Sequence, residues 1–215
     1  MARNLQDKVI FITGASSGIG RDTALLCADQ GMNIALAARR MDKLEQVAAD
    51  IESKGQRALA VGCDVNEDDQ VRASLNACFE QFGRLDVLFA NAGYGYFSTI
   101  EDMPEDEHRA IFETNYFGTI RTIKHGLPLL RQTPEGLKQV LICSSAASEI
   151  GLPMFGAYSA TKAAQDSIAG ALRAELAGEG IAVTSVHPVG TKTEFFDTAG
   201  EKSDADSLKH NAPDL

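Results

Sequence analysis

The stretch that decides the fold is TGASSGIG, residues 13–20, which follows directly on the apolar run KVIFIT at residues 8–13. Glycine at positions 14, 18 and 20 lets the backbone turn tightly and come close to a ligand. The amphipathic stretch beginning at residue 18 predicts a helix whose first N–H groups and positive dipole end face the turn. This order of strand, turn and helix indicates a pyrophosphate site, with a tight turn that binds no ligand as the alternative.

Two other motifs compete for the same residues. A Walker loop requires Gly-Lys-Ser/Thr after the turn, and the sequence has none there. Residues 14–18 also match G-x-S-x-G, the nucleophile turn of serine hydrolases. That turn requires an oxyanion loop after an earlier strand, and no strand is predicted before residue 8. The hydrolase interpretation is therefore disfavoured.

Outward from this turn, short apolar runs alternate with longer amphipathic runs. The predicted strands cover residues 8–13, 33–37, 58–62, 85–90, 139–144 and 181–187. The predicted helices cover residues 18–30, 41–54, 67–82, 104–131 (as one helix or two) and 158–179. Continuous apolar strands separated by helices predict an α/β fold with a parallel sheet covered on both faces. Such sheets bind ligands at the carboxyl ends of their strands.

Composition and charge are those of a globular protein: 44% of the 215 residues are hydrophobic, 23% are charged, and the formal net charge is −10. A negative surface disfavours nucleic acid and anionic membranes as partners, because phosphate attraction needs positive charge. The four cysteines form no C-x-x-C pair, and no apolar leader or membrane-spanning run is present. We therefore expect buried free thiols, no bound metal and a cytoplasmic protein.

The residues after the second strand distinguish the two nicotinamide cofactors. Dinucleotide folds that bind NAD usually place a carboxylate there for the ribose 2′-hydroxyl. This chain has Ala38, followed at once by Arg39 and Arg40. A guanidinium grips a 2′-phosphate with paired, charge-assisted hydrogen bonds. The sequence thus favours NADP(H), and a solvated arginine pair at the start of the next helix is the alternative interpretation.

A set of polar residues suited to proton transfer lies further along the chain. Tyr158 and Lys162 stand at i and i+4 on one helical face, where an ammonium is expected to lower the tyrosine pKa from about 10. Ser145 follows the fifth predicted strand, and its hydroxyl can bond a substrate carbonyl there. Asn115 lies in a helical stretch where an amide has low propensity. Each also has a purely structural interpretation. Tyr158 and Lys162 are then a surface pair, Ser145 is a cap, and Asn115 is a satisfied buried amide.

Seven motifs in order resemble the short-chain dehydrogenase/reductase family over essentially the whole chain. They are TGASSGIG at 13–20, CDV at 63–65, ANAG at 90–93, NYFG at 115–118, SS at 144–145, YSATK at 158–162 and HPVGTKT at 187–193. The resemblance implies a single Rossmann-type, doubly wound parallel sheet with helices on both faces. It also implies hydride transfer between NADP(H) and a carbonyl compound or secondary alcohol.

The resemblance also implies roles for single residues. Tyr158 would be the general acid/base, and Lys162 would lower its pKa and hold the nicotinamide ribose. Ser145 would orient the substrate oxygen, and Asn115 would hold a water that relays protons to Lys162. The implied cofactor contacts are Gly14, Ser16, Ser17, Gly18, Ile19, Gly20, Arg39, Arg40, Asp64, Val65, Asn91, Ala92, Gly93, Tyr158, Lys162, Pro188, Gly190, Thr191 and Thr193.

The chain departs from the family pattern at a few places. Ala90 replaces the first asparagine of N-N-A-G, and the usual Pro-Gly pair is spread over residues 188–190. Ser17 stands where many NADP-preferring relatives carry a basic residue, which leaves Arg39 and Arg40 to hold the 2′-phosphate. Family members usually run about one helix and one strand further. We therefore expect a trimmed chain, with one domain over residues 1–199 and a mobile segment over residues 200–215.

Aromatic residues indicate the character of the substrate. Six of the 14 fall in the loops after the last three predicted strands, where they predict an apolar pocket, with ordinary loop packing as the alternative. They are Tyr94, Tyr96, Phe97, Phe155, Phe195 and Phe196, the first five being the predicted pocket lining. The resemblance implies a homodimer or homotetramer. An NAD-dependent dehydrogenase and a non-enzymatic dinucleotide-binding sensor or scaffold remain alternative functions.

Overall fold

A computed structural model of the protein describes residues 4–133, 136–190 and 199. In these ranges the strands are β1 Val9–Thr13, β2 Asn33–Ala38, β3 Ala58–Gly62, β4 Val87–Ala90, β5 Gln139–Cys143 and β6 Ala182–Val186. They form one sheet in the order β3-β2-β1-β4-β5-β6, and each neighbouring pair is parallel. This is the Rossmann-type, doubly wound strand order, so the predicted fold class is confirmed.

The α-helices lie between the strands. They are α1 Gly18–Asp29, α2 Met41–Ser53, α3 Asp68–Phe82, α4 Glu105–Phe112, α5 Gly118–Gln132 and α6 Gly156–Glu175. The predicted helix over 104–131 is two α-helices joined by a π-helical turn, Glu113–Phe117. Short 3₁₀ turns occupy Ala146–Ser148 and Ala177–Glu179. Helix α6 begins two residues before the predicted start, so Tyr158 lies in its first turn.

Two apolar layers cover the two faces of the sheet. Along β1 the side chains alternate: Phe11 belongs to one buried cluster, and Ile10 and Ile12 belong to the other. The cluster around Phe11 includes Leu75 of α3. The opposite cluster includes Leu44 of α2. Both faces of the strands are therefore buried, which explains their continuous apolar runs.

The strand register brings the carboxyl ends of the central strands to one edge of the sheet. Thr13 lies opposite Ala37, and Ala90 lies opposite Ile142. The residues that follow β1, β2, β4 and β5 therefore face one another across this edge. The candidate site is built there.

Two predictions made from composition can be compared with the described residues. Cys63, Cys78 and Cys143 are buried free thiols as expected, whereas Cys27 is only half-buried, so the prediction is wrong for that residue. Cys27 lies on helix α1, between its buried and exposed faces. Among the helices described, none is both long and apolar enough to cross a membrane.

Candidate functional site

The glycine turn after β1 forms a cradle of the right kind for a pyrophosphate. Gly14 and Gly18 have positive φ angles of 67° and 53°, which glycine adopts without strain. A Cβ added at Gly20 would lie 2.5 Å from the carbonyl oxygen of Gly14. In the described part of the chain, Ser17 makes no side-chain cap bond at the start of α1. Backbone N–H groups of the first helical turn thus remain available to an anion, so the residues fit a dinucleotide.

The end of β4 is tied to this turn. The Thr13 hydroxyl accepts from the backbone N–H groups of Asn91 and Ala92 at 3.0 and 3.1 Å. The Asn91 side-chain amide donates to the Thr13 carbonyl oxygen at 2.9 Å. The side chain of Asn91, a predicted cofactor contact, therefore shapes the turn. A Cβ added at Gly93 would lie 3.0 Å from Asn115 Oδ1, so glycine keeps this strand end close to the catalytic candidates.

The two arginines after β2 occupy different places. Arg40 donates from Nη2 to Ser17 Oγ at 2.7 Å and to Ser16 Oγ at 3.0 Å, so its guanidinium lies on the glycine turn. The side chain of Arg39 is 72% exposed, and its Nη1 lies 3.9 Å from a carboxylate oxygen of Asp64. Arg40 thus brings a positive charge to Ser17, the position at which the family pattern predicts a basic residue.

Of the two predicted adenine contacts, Asp64 and Val65, the second is held by helix α5. Arg121 donates from Nη1 to the Val65 carbonyl oxygen at 3.2 Å and also forms an ion pair with Glu113 of the π turn. A Cβ added at Gly118 would lie 2.7 Å from Val65 Cγ2, so only glycine allows this approach. The loop after β3 and the π turn are therefore held by the same side chain.

Tyr158, Ser145 and Lys162 meet at the carboxyl end of β5. The Tyr158 hydroxyl is hydrogen-bonded to Ser145, which caps the 3₁₀ turn through a bond from Ala147 N at 3.1 Å. Lys162 Nζ lies 5.5 Å from the centre of the Tyr158 ring and donates to the Cys143 carbonyl oxygen at 2.7 Å. Both Tyr158 and Lys162 are buried. The structure thus brings Ser145, thirteen residues earlier in the sequence, to the tyrosine–lysine pair of helix α6.

Burial dominates the electrostatics of this cluster. It raises the pKa of Tyr158 to about 12, against the opposite effect of the hydrogen bond with Ser145. Burial also lowers the pKa of Lys162, against the effects of Cys143 and Asp166. The pKa of Tyr158 is therefore raised and not lowered as expected from the spacing to Lys162, because loss of water is the largest effect on this group.

Asn115 is fully buried in the π turn, a type of helical irregularity often found at functional sites. Its Oδ1 accepts from Tyr94 N at 3.0 Å, and its Nδ2 donates to the Tyr94 carbonyl oxygen at 3.0 Å. Nδ2 also lies 3.1 Å from Thr161 Oγ1, which donates to the Tyr158 carbonyl oxygen at 2.7 Å. The amide of Asn115 therefore joins the end of β4 to the first turn of α6.

The aromatic residues of the predicted pocket form one cluster. The rings of Phe97 and Phe155 meet edge to face with centroids 4.5 Å apart, and Phe155 lies 6.0 Å from the Tyr158 ring. Tyr96 is buried in the same cluster, with Tyr94 packed against it. The remaining predicted pocket residue, Phe195, lies outside the described residues.

The turn after β6 is described only at its start. Pro188 accepts from Ala146 N at 3.2 Å, which places this turn beside the 3₁₀ turn of Ser145. Gly190 has a positive φ angle of 48°. Thr191 and Thr193, predicted contacts of the nicotinamide, lie outside the described residues.

The two serines of the SS motif serve different purposes. Ser144 Oγ donates to an Asp166 carboxylate oxygen at 2.9 Å, whereas Ser145 faces Tyr158. The other carboxylate oxygen of Asp166 lies 3.0 Å from His187 Nε2. Asp166 therefore joins helix α6 to the ends of β5 and β6, a role that the sequence analysis missed. It follows Lys162 by four residues, so helical spacing alone places it on the same side of α6.

A parallel sheet in this strand order, with a glycine turn and a buried tyrosine–lysine pair at one edge, defines a Rossmann-type oxidoreductase. The chain belongs to the short-chain dehydrogenase family: the family profile, described as short chain dehydrogenase, matches residues 8–204. The family predicted from the seven motifs is thus confirmed, and the protein is an oxidoreductase of that family.

Two relatives illustrate the sequence similarity. An uncharacterized oxidoreductase from Staphylococcus saprophyticus is 34% identical over 215 residues, covering 97% of this chain and 85% of the relative. A glycine betaine reductase from Emericella nidulans is 35% identical over 205 residues, covering 95% of this chain. The chain spans only 16% of the length of that second protein.

Two solved structures illustrate the structural similarity. An alcohol dehydrogenase from the archaeon Thermococcus sibiricus, complexed with 5-hydroxy-NADP, has a TM-score of 0.83 and 32% identity, covering 92% of this chain and 81% of that chain. A short-chain dehydrogenase/reductase from Burkholderia phymatum, in complex with NAD, has a TM-score of 0.87 and 27% identity, covering 100% of this chain and 76% of that chain. Structures similar to this chain thus bind either nicotinamide dinucleotide.

Proposed function

We propose that the protein reduces an apolar carbonyl compound, or oxidises the matching secondary alcohol, with NADP(H) and with Tyr158 as general acid/base. The observation that carries this proposal is the hydrogen bond between the Tyr158 and Ser145 hydroxyls beside buried Lys162. NADP(H) supplies the hydride in reduction and accepts it in oxidation. The residues of the chain bind the cofactor, orient the substrate and transfer the proton.

The cofactor contacts follow the edge of the sheet. The glycine turn and the start of α1 would hold the pyrophosphate, and Arg40 would hold the 2′-phosphate. The loop of Asp64 and Val65 would face the adenine. The contacts proposed for the nicotinamide half are Asn91, Ala92, Gly93, Tyr158, Lys162, Pro188 and Gly190, together with Thr191 and Thr193, which are proposed from the sequence motif alone.

Proton transfer is assigned to Tyr158 and its neighbours. In reduction, the Tyr158 hydroxyl gives its proton to the substrate oxygen, which the Ser145 hydroxyl orients. In oxidation, the Tyr158 oxygen takes the proton from the alcohol. Lys162 would hold the ribose, and Asn115 would fix the strand end at Gly93 beside it. Because burial raises the Tyr158 pKa to about 12, the phenol keeps its proton at neutral pH.

This pKa predicts different pH dependences for the two directions. Oxidation requires the unprotonated phenol, so its rate is expected to rise about tenfold per pH unit below the pKa of Tyr158. Reduction uses the protonated phenol, and its rate is expected to change little over the same range. Initial rates of both reactions in one buffer series measure the two slopes. Equal slopes would contradict the assignment of the proton to Tyr158.

An apolar substrate is supported by the loops around the aromatic cluster. Ile100 and Ile150 are 66% and 54% exposed, and Leu152 is 37% exposed. Their loops are joined by a hydrogen bond from Ser98 N to the Met154 carbonyl oxygen at 3.0 Å. Exposed large apolar side chains grouped on neighbouring loops are typical of a surface that binds an apolar molecule.

The cofactor choice is tested by titrating the protein with NADPH and NADH and following nicotinamide fluorescence, since the chain contains no tryptophan. NADPH is expected to bind more tightly. Arg40→Ala is expected to weaken NADPH binding about 10- to 100-fold and to leave NADH binding unchanged, because charge-assisted bonds to the 2′-phosphate are lost. Arg39→Ala is expected to have the smaller effect, because Arg39 lies away from the glycine turn.

A matched control for this charge change is Arg72→Ala, since Arg72 is an exposed arginine of α3 paired with Asp69. It is expected to leave both affinities unchanged. An NAD-dependent dehydrogenase is the second candidate function, favoured by the NAD in the Burkholderia phymatum structure. Tighter NADH binding by the wild-type protein, unaffected by Arg40→Ala, would decide for that candidate.

We also propose that the protein is cytoplasmic and acts as a homodimer or homotetramer. The oligomer is supported by an apolar surface on the π turn, where Phe117 is 46% exposed and meets the Tyr116 ring at 5.0 Å. The location is supported by the free thiols, which are typical of a reducing compartment.

A further inference from the structure

Gln165 is a fully buried polar residue that the mechanism proposed above does not use. It lies on helix α6, seven residues after Tyr158 and three after Lys162, so these side chains share one side of the helix. Its Nε2 donates to the Asn115 carbonyl oxygen at 2.6 Å and to Thr119 Oγ1 at 2.7 Å. Gln165 is thus bonded to the backbone of a catalytic candidate.

The Asn115 carbonyl lies in the π turn, where the regular helical bonding is replaced by longer backbone bonds such as the one from Gly118 N to the Glu113 carbonyl oxygen. The Thr119 hydroxyl donates to the Asn115 carbonyl oxygen at 2.8 Å, and Gln165 gives the second bond. A carbonyl oxygen has two lone pairs, so it can accept from both of these side chains.

Burial of the Gln165 side-chain amide also lowers the stability of the fold. Among the described residues, Gln165 Oε1 has no hydrogen-bond partner, although it is buried. An unpaired buried acceptor is destabilising, so an apolar side chain of similar length would suit simple packing better. The amide is therefore explained by its donor group, which holds the π turn in place.

We propose, resting on the function proposed above, that Gln165 is a positioning residue for catalysis. By holding the Asn115 carbonyl, it fixes the π turn. The Asn115 side chain then fixes Tyr94 at the end of β4 and, through Thr161, the first turn of α6 that carries Tyr158.

The test compares Gln165→Met with Gln165→Glu in NADPH-dependent carbonyl reduction. Methionine keeps the length of the side chain but donates no hydrogen bond, so kcat is expected to fall about 10- to 100-fold with the KM for NADPH nearly unchanged. A buried carboxyl can donate only when protonated. The kcat of Gln165→Glu relative to wild type is therefore expected to recover as the pH falls. Gln46→Met, at an exposed position on α2, is the matched control.

A second readout needs no activity. Hydrogen–deuterium exchange in the peptide covering residues 113–119 is expected to be faster in Gln165→Met than in wild type and in Gln46→Met. Unchanged exchange in that peptide, or a wild-type kcat, would overturn the proposal. If wild-type protein neither binds NADPH nor reduces carbonyls, the proposed function fails, and the exchange experiment still decides whether Gln165 holds the π turn. If Gln165→Met does not fold, exchange of the same peptide in Gln165→Glu is compared with wild type at each pH. Exchange that approaches the wild-type rate as the pH falls supports the proposal, and a constant ratio contradicts it.

Discussion

Replacing Tyr158 with phenylalanine is expected to lower the rate of carbonyl reduction about 10²- to 10⁴-fold, the usual contribution of a positioned general acid. Phenylalanine keeps the ring, and with it the edge-to-face contact to Phe155. Only the hydroxyl bonded to Ser145 is lost, so the fold and the cofactor site are expected to stay intact. The measurement is kcat at saturating NADPH, together with the NADPH dissociation constant from nicotinamide fluorescence.

The control for this prediction is a second tyrosine near the site. Tyr116→Phe removes a hydroxyl from the π turn, where the ring meets those of Phe112 and Phe117. It is expected to leave kcat within about twofold, a small change in barrier, because the ring contacts with Phe112 and Phe117 are kept. A wild-type kcat in Tyr158→Phe would remove Tyr158 from the mechanism. Tight NADPH binding without turnover in the wild-type protein would favour a dinucleotide-binding sensor.

The fold was predictable because its signals are local. The apolar run of β1, the glycines at 14, 18 and 20 and the first turn of α1 are contiguous in the sequence. The Tyr158–Lys162 pair was predictable for the same reason, because helical spacing alone places i and i+4 on one face. The two-residue shift at the start of α6 is of the size by which helix boundaries commonly differ, because helix ends carry no sharp sequence signal there.

The division of work between Arg39 and Arg40 was not predictable from the sequence. Neighbours in the chain point in different directions when a strand ends, and which one meets Ser16 and Ser17 depends on how α2 packs. The π turn was hidden in the same way. One extra residue in a helical turn hardly changes the apolar period over 104–131, yet it is what buries Asn115 beside Gly93.

Gln165 was missed although the sequence contained a signal. A glutamine seven residues after Tyr158 lies on the same helical side as the catalytic candidates, where an apolar residue is the usual choice. The pKa of Tyr158 was mispredicted for a different reason. The sequence shows the spacing to Lys162, but burial is a property of the whole fold, and burial decides the direction here.

Replacing Asp86 with alanine is expected to weaken the fold strongly. Asp86 is fully buried just before β4, and it accepts from Val9 N at 2.9 Å and from Arg84 Nε at 2.7 Å. Asp86→Ala leaves a strand N–H and a partly buried guanidinium without their acceptor. Breaking such a pair costs about 3 to 5 kcal/mol of unfolding free energy, with the lower end expected because Arg84 is 24% exposed.

Urea unfolding measures this loss as a lower midpoint at an unchanged slope. Asp22→Ala is the control: Asp22 is 62% exposed and pairs with Arg21 at 3.2 Å, so less than about 0.5 kcal/mol is expected. Equal losses in the two variants would contradict the role of Asp86. Asp86 lies at the amino end of β4, opposite the glycine turn, so the part of Asp86→Ala that remains folded is expected to bind NADPH like wild type. Weakened binding in that folded fraction would show instead that Asp86 acts on the site through the strands that it joins.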